Sequence, residues 1–348
     1  MGYVEFLHTE LSLPRVNRSR PIVLDLFAGC GGLALGFEAA GFRTIGYEML
    51  EDACQTYSKN LRGTCWQRYI KPDEPLDEVS NADVIIGGPP CQPFSVVGLQ
   101  NGKHDDRDGF PAFLSLIQRY DPKLVLFENV RGMLYRNKGY FEAIADAISR
   151  QGYIVEWRVL NAMDYGVPQN RERLFVVGHR GIWRFPDSTL PQDHPFTAGE
   201  ALREMAFSIP ENAKFLTPSM DEYVSRYEKK SQCIRPRDLH LDQPSRTVTC
   251  RNLNGATGDM LRVRLPDGRR RRLTVREGAR LQSFPDWFEF CGAEGSQFNQ
   301  VGNAVPPLLA KAVADSVQAY LRSRKRFDPD EIRRRRPQRQ LKLAFADN

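Results

Sequence analysis

Apolar residues along this chain gather first into short continuous runs and only later into helical stripes. Ile22 to Phe27, Thr44 to Glu48, Val84 to Gly88, Leu124 to Glu128, Ile154 to Leu160 and Leu174 to Val177 are such runs, separated by helix-length segments. A strand apolar on both faces must be covered on both faces. The pattern therefore predicts an α/β fold, a doubly wound and mostly parallel sheet with helices on either side. The alternation holds to about Arg180 and then stops. From 181 to 271 the chain is irregular and Pro-containing, with Thr/Asn/Gly stretches such as Thr247 to Asp259, which predicts a second, smaller module. Near its end, Met260 to Leu265 and Arg270 to Val275 flank Pro266-Asp267-Gly268, the signature of a β-hairpin. A helical pattern returns at Pro307 to Leu321, where Leu309, Val313, Val317, Tyr320 and Leu321 share a face expected to pack on the first domain. The expected organisation is 1–180, first part of one domain; 181–271, the smaller module; 272–321, the return to the first domain; and 322–348, a tail.

Composition narrows the class. With 348 residues, 41% hydrophobic and 26% charged, the chain reads as ordinary globular protein with room for two domains. It has no apolar run of about 18 residues, so no membrane span is expected. Met1 to Glu10 has neither a basic start nor an apolar stretch, and Phe6 breaks the myristoylation pattern. The expected location is the cytoplasm or nucleoid. Seven cysteines (30, 54, 65, 91, 233, 250, 291) form no C-x-x-C pair, and the five histidines (8, 104, 179, 194, 240) form no cluster. Neither a disulfide framework nor a metal site is expected. The formal charge of +6 resides in the tail, where 322–348 holds ten Lys/Arg against four acids. That suits a polyanionic partner, and equally a solvated end.

Three segments carry chemistry. Asp25-Leu26-Phe27-Ala28-Gly29-Cys30-Gly31-Gly32 follows one strand and opens a predicted helix over Leu33 to Ala40, and the next strand ends in Glu48. Glycines let backbone approach a ligand, and an acid at that strand end can bind ribose hydroxyls. The spacing Gly29-x-Gly31-Gly32 departs from the dinucleotide fingerprint and favours an adenosyl cofactor without pyrophosphate. Gly87-Gly88-Pro89-Pro90-Cys91 follows another strand and presents a thiol at the sheet edge, the position of a nucleophile. Glu128-Asn129 ends a third strand, and Arg171 and Arg173 precede a fourth. A carboxylic acid can protonate a ring nitrogen, and Arg can bind a ring carbonyl or phosphate.

In this order these residues resemble the DNA (cytosine-5) methyltransferases of bacterial modification type. The resemblance rests on Asp25 to Gly32 with Gly36, Glu48, Gly88 to Ser95, Glu128-Asn129-Val130, Gln169 to Arg173, Arg272 to Phe288 and Gln300 to Val305, and covers about residues 21–321. It implies a Rossmann-like fold dependent on S-adenosylmethionine. It also implies that the Cys91 thiolate adds to C6 of cytosine while Glu128 stabilises or protonates N3. Arg171 and Arg173 would contact the cytosine carbonyl and the loop around Cys91, supported by Asn129. By the same resemblance Phe27, Gly29, Gly31, Gly32 and Leu33 surround the methionine part of the cofactor and Glu48 the ribose. Met49 lies against the adenine, Pro89 borders the pocket, and Asn303, Ala304 and Val305 close it. The family's adenine-contacting Asp has no clear counterpart between Gln67 and Asp73.

A base can be attacked at C6 only when flipped out of the duplex. Gln92 to Asp108, polar and Gly-containing, suits a loop that closes over it, with Gln92, Ser95 and Arg107 facing the DNA. Reading double-stranded DNA is assigned to 181–271, through Arg235, Arg237, Arg246, Arg251 and Arg269 to Arg272, with Thr247 or Thr249 on the flipped nucleotide's backbone. The expected protein is a monomer with a possible cognate restriction endonuclease. The rival readings are an RNA cytosine-5 methyltransferase, a silent DNA-binding homologue and a dinucleotide oxidoreductase. The RNA-directed branch usually carries Cys-Phe-Thr in its second module, and none occurs here.

Overall fold

Eight strands arise before residue 180 in the computed structural model: β1 (Ile22–Leu26), β2 (Arg43–Glu48), β3 (Thr64–Gln67), β4 (Val84–Gly87), β5 (Leu124–Val130), β6 (Ile154–Asn161), β7 (Gln169–Asn170) and β8 (Glu172–His179). The structure describes all residues except 1, 16, 18, 91–107, 191–193, 231, 233–237, 256–257, 324–325, 329 and 333–348. Seven strands form one sheet in the order β3-β2-β1-β4-β5-β8-β6. β3, β2, β1, β4 and β5 run parallel, and β8 is antiparallel to both of its neighbours. The strand order reverses between β1 and β4, so a crevice opens at their carboxyl ends, where such sheets bind ligands.

All six apolar runs became strands of this sheet. β3 is the strand they did not announce: of its four residues only Cys65 is buried, as befits an edge. The sheet is covered on both faces. The helices of the first part are α1 (Tyr3–Glu10), α2 (Gly32–Ala39), α3 (Glu51–Asn60), α4 (Phe110–Tyr120) and α5 (Lys138–Arg150). Leu24, Ile85, Val125, Phe127 and Val176 pack against Phe113, Leu116 and Ile144 of α4 and α5. Val23, Ile86, Leu126 and Val177 pack on the opposite face with Leu35 and Phe37 of α2.

Regular structure is sparse between 181 and 271. It comprises α6 (Ala198–Leu202), α7 (Pro218–Lys230), the two-residue β9 (Ser245–Arg246), α8 (Cys250–Leu253) and an antiparallel pair, β10 (Arg262–Arg264) with β11 (Arg270–Arg272). The pair is the expected hairpin, shorter than its apolar flanks, and Gly268 takes the left-handed φ of 86° in its turn. The chain then forms α9 (Val275–Leu281), α10 (Glu294–Asn303) and α11 (Pro307–Arg322). α11 lies on α2 as its apolar stripe predicts. The contact is close because Gly36 has no side chain: a Cβ there would stand 2.5 Å from that of Ala310.

Two tail residues touch the sheet. Phe327 and Ile332 are buried against Ile154, and the Phe327 N–H donates to Arg180 O at 2.9 Å. Phe327 and Ile332 therefore pack on the body while Arg326, Asp328 and Asp330 stay exposed. Among the described residues no helix is long and apolar enough to cross a membrane.

Candidate active site

The first wall of the crevice is the turn from β1 into α2. Phe27 has φ 58° and Gly31, the N-cap of α2, has φ 89°. A Cβ on Gly31 would lie 2.6 Å from Leu61 Cδ1, so glycine is required by both φ and space. Glu48 at the end of β2 fixes the turn's shape. Its carboxylate accepts the Gly29 N–H at 2.8 Å and the Leu50 N–H at 2.9 Å. Beside it Met49 and Leu50 are 57% and 59% exposed, an apolar surface that suits a planar base. Leu33 is buried, so its offer to a ligand is its amide in the first turn of α2, where N–H groups lack intrahelical partners. Val305 reaches the same turn: a Cβ on Gly32 would be 2.5 Å from Val305 O.

Asp25, under this turn, is buried with Oδ2 lacking any hydrogen-bond partner. Burial, reinforced by the Glu48 charge, holds its carboxyl well above the usual range. Cys30 is buried too, which pushes its thiol up to about 12 and makes it a core side chain, not a nucleophile. Asp73, at the end of the stretch from Gln67, is exposed, and its Oδ1 accepts from Ser115 Oγ at 3.0 Å.

The second wall joins β4 to β5. Gly87 pairs with Phe127, so Gly88 comes beside Glu128, and a Cβ on Gly88 would meet Glu128 Oε2 at 3.6 Å. Glu128 is largely buried, and its Oε1 accepts from Arg173 Nε at 2.9 Å. Desolvation raises the affinity of Glu128 for its proton, while the Arg173 and Arg171 charges oppose the rise. The net direction is upward, which suits a group that must give a proton at neutral pH. Asn129 Nδ2 donates to Pro89 O at 3.2 Å, tying β5 to the Pro-Pro turn. Cys91, Gln92, Ser95 and Arg107 lie outside the described residues, as do His104, Arg235 and Arg237. Both flanks of 91–107 are held, for the Gly109 N–H donates to Pro90 O at 3.0 Å and Tyr140 hydroxyl to Asp108.

Geometry gives several of the expected site residues partners within the protein. Arg171 does not hold its guanidinium out for a base: Nη1 donates to Val248 O, and Nη2 to Gly302 O and Ala304 O, all between 2.6 and 3.1 Å. Arg270 is almost fully buried among Asp238, Asp221 and Glu228, and Arg271 is fully buried against Glu277 at 2.7 Å. Arg272 donates to Leu253 O at 3.0 Å and covers the Phe298 ring. Arg270 and Arg271 are spent on the fold because a buried guanidinium needs carboxylates or carbonyls around it, whereas Arg272 is half-buried. Arg246 is likewise bound to Asp259, through its side chain and its backbone carbonyl. Thr249 Oγ1 caps α8 by accepting the Asn252 N–H, and Thr247 Oγ1 donates to Asn170 O. Arg251 and Arg269 remain exposed, each beside one acid. Asn303 is exposed, its Oδ1 accepting from Cys250 Sγ at 2.9 Å.

Sequence reasoning gave no individual role to Gln282 or Gly302: Gln282 bonds Gln169 and Val301 O, and Gly302 lies against the backbone of Thr249 and Cys250. The signal available was their place inside the segments Arg272 to Phe288 and Gln300 to Val305 that carry the family resemblance. Cys30, Cys54, Cys65, Cys250 and Cys291 are free, and no group of His, Cys, Asp and Glu among the described residues could hold a metal.

Comparison with known proteins agrees with this arrangement. Residues 22–319 match the family described as C-5 cytosine-specific DNA methylase. The chain is 58% identical to the Type II methyltransferase M.AplI of Arthrospira platensis, covering 99% of both chains. It is 33% identical to the Type II methyltransferase M.NgoFVII of Neisseria gonorrhoeae, covering 89% of this chain and 90% of that protein. In fold it resembles a putative DNA modification methyltransferase encoded within an Escherichia coli prophage (TM-score 0.65, 23% identity, 87% of this chain and 100% of that one). It resembles the S. pombe Dnmt2 methyltransferase similarly (TM-score 0.68, 18% identity, 88% and 100%). With the family matched across both walls of the crevice and a full-length relative at this identity, the chain belongs to the C-5 cytosine-specific DNA methylases and is a DNA (cytosine-5) methyltransferase of the bacterial modification type.

Proposed function

We propose that the protein methylates C5 of one cytosine within a short duplex sequence, after flipping that nucleotide into the crevice between the Gly31 turn and Glu128. The observation that carries this reading is the buried Glu128–Arg173 pair beside Gly88, which couples a carboxyl of raised proton affinity to the strand leading into Cys91. S-adenosylmethionine fits the opposite wall: the Gly29–Gly32 backbone, the Glu48 carboxylate and the apolar Met49 and Leu50 match its amino-acid, ribose and adenine parts. Pro89, Asn303, Ala304 and Val305 complete that pocket.

The chemistry follows from the base. C5 of cytosine is too electron-poor to attack a methyl sulfonium, so the Cys91 thiolate first forms a bond to C6. Glu128 donates its proton toward N3, and the electron pair of the C5=C6 bond becomes available at C5. C5 takes the methyl group, which S-adenosylmethionine supplies as an electrophile whose C–S bond electrons stay on sulfur. Loss of the C5 proton then restores the double bond and expels Cys91 as thiolate, with the Glu128 proton returned. Arg173 keeps Glu128 aimed while its charge offsets the cost of burial. No residue is assigned as the base for the C5 proton.

Residues 181–271 then serve as the target-recognition stretch, with Arg251 and Arg269 the exposed cations among those named above, and Gln92, Ser95 and Arg107 contributing from 91–107. The Type II naming of the relatives favours a cognate restriction endonuclease and action on the cell's own DNA in the cytoplasm. The deciding experiment is base-resolution cytosine-conversion sequencing of mixed-sequence duplex DNA after incubation with the protein and S-adenosylmethionine. Methylation confined to one motif is expected. Cofactor binding without any 5-methylcytosine in DNA would overturn the reading.

A further inference from the structure

Three polar side chains meet in the interior between the recognition stretch and the segment bordering the cofactor crevice. Gln169, Arg171 and Gln282 are almost completely buried. Gln169 Oε1 accepts the Val248 N–H at 2.7 Å, while its Nε2 donates to Leu281 O and Gln282 Oε1, both at 2.9 Å. Gln282 Nε2 donates to Val301 O at 2.6 Å and to Ala304 O at 3.3 Å. Arg171 completes the circuit with Val248 O at 2.6 Å, Gly302 O at 3.1 Å and Ala304 O at 3.0 Å. Both backbone polar groups of Val248 are thus held by side chains of 169–171, and Ala304 O is held twice.

Direct packing strengthens the link. Gly302 lies against the backbone of Thr249 and Cys250, where a Cβ would stand 2.6 Å from the Thr249 carbonyl carbon. Cys250 Sγ donates to Asn303 Oδ1, as described. Residues 247–250 and 301–305 therefore cannot shift independently without breaking buried hydrogen bonds, and each broken bond would strand a desolvated polar group. Arg171 is one residue from Asn170, whose carbonyl Thr247 uses, and two from Arg173, which holds Glu128.

We propose that Gln169, Arg171 and Gln282 are positioning residues that couple the methyl-donor crevice to capture of the target nucleotide, so that each ligand raises the affinity for the other. The inference rests on the function proposed above. A ligand that orders 303–305 orders 247–249 through this circuit, and the enhancement must be reciprocal. None of the three amide or guanidinium groups needs to touch a reacting atom.

The test measures binding, not turnover. Affinity for a duplex carrying the methylated motif is measured by fluorescence anisotropy with and without saturating S-adenosylhomocysteine, for the natural protein, Gln282→Met and Arg171→Lys. Calorimetry gives S-adenosylhomocysteine affinity without DNA. The natural protein should show an enhancement of about tenfold. Gln282→Met should reduce it to within about twofold of unity while changing each separate affinity by less than about threefold, a split that general loosening would not produce. Arg171→Lys keeps the charge but loses the planar fork, and should also lose most of the enhancement. The inference is overturned if the enhancement survives in both variants, if both separate affinities fall together at a constant ratio, or if the natural protein binds both ligands without enhancement. Failure of the natural protein to bind either ligand would overturn the functional reading instead. Thermal melting identifies a misfolded variant; should Arg171→Lys fail to fold, Gln282→Met decides.

Discussion

Buried arginines occur in two regions of this protein, beside the candidate active site and in the β10–β11 hairpin, and they do opposite work. On β8, Arg173 shares one carboxylate, Glu128, with the charge of nearby Arg171, and burial still raises the proton affinity of that carboxyl. The pair is held together yet left able to give up a proton. In the hairpin, Arg262 and Arg270 converge on Asp238 and Glu228, and Arg271 on Glu277, with backbone carbonyls taking the remaining donors of Arg271. Those cations hold chain to chain and leave nothing for a ligand. Arginine-rich sequence in a DNA-modifying enzyme is therefore a poor count of its DNA contacts.

The comparison can be broken most sharply at Cys91. Cys91→Ala should abolish methyl transfer while leaving calorimetric S-adenosylhomocysteine binding intact; residual turnover would remove the covalent step from the mechanism. Next, Glu128→Gln should lower kcat by about 10²- to 10⁴-fold. The raised proton affinity of Glu128 sets the sign of the pH dependence: the protonated form is the donor, so natural activity falls as pH rises through that pKa. That alkaline limb should be absent from the pH profile of Glu128→Gln. A variant that kept the natural limb would assign the titration elsewhere.

Arg271→Ala tests the other side. It strands the fully buried Glu277 and should cost about 3–5 kcal/mol in urea denaturation, while the molecules that remain folded keep their target motif. A loss under about 1 kcal/mol would mean that the pair is not supporting the fold. Deleting 333–348, which carries Arg333 to Arg336, Arg339 and Lys342, should make the salt dependence of DNA binding shallower, by about one unit of slope for each phosphate the tail no longer neutralises. Its methylated motif should stay the same. The smallest effect belongs to Arg269→Ala: exposed, paired with nearby Asp267 and lying over the Phe215 ring, it should change stability by no more than about 1 kcal/mol.

What could be read from sequence followed a physical rule. The sheet was legible because strands buried on both faces are written as continuous apolar runs, from Ile22–Leu26 to Leu124–Val130. The turn from β1 into α2 was legible because Gly29, Gly31, Gly32 and Glu48 act through backbone geometry set within one strand-turn-helix-strand unit. The antiparallel sense of β8 was not, since an apolar run carries no direction. Edge strand β3 was missed because its side chains are mostly exposed. The partners of Arg171, Arg270 and Arg271 were not legible for a common reason: from Val248 and Ala304 to Asp238, they are distant in sequence or are backbone atoms that no motif names.

The packing of α11 on α2 has a further consequence for how the molecule comes to exist. α2 is complete by Ala39, but the helix that covers it begins at Pro307. As the chain is synthesised, the apolar face of α2 therefore waits bare while the sheet, residues 181–271 and the helices after them are made. This long-range closure makes folding late and slow compared with its local helices and exposes an aggregation-prone surface in the interim. A chain cut short before α11 should be left with an uncovered core and no stable cofactor wall, so the reaction is available only to molecules finished nearly to their end.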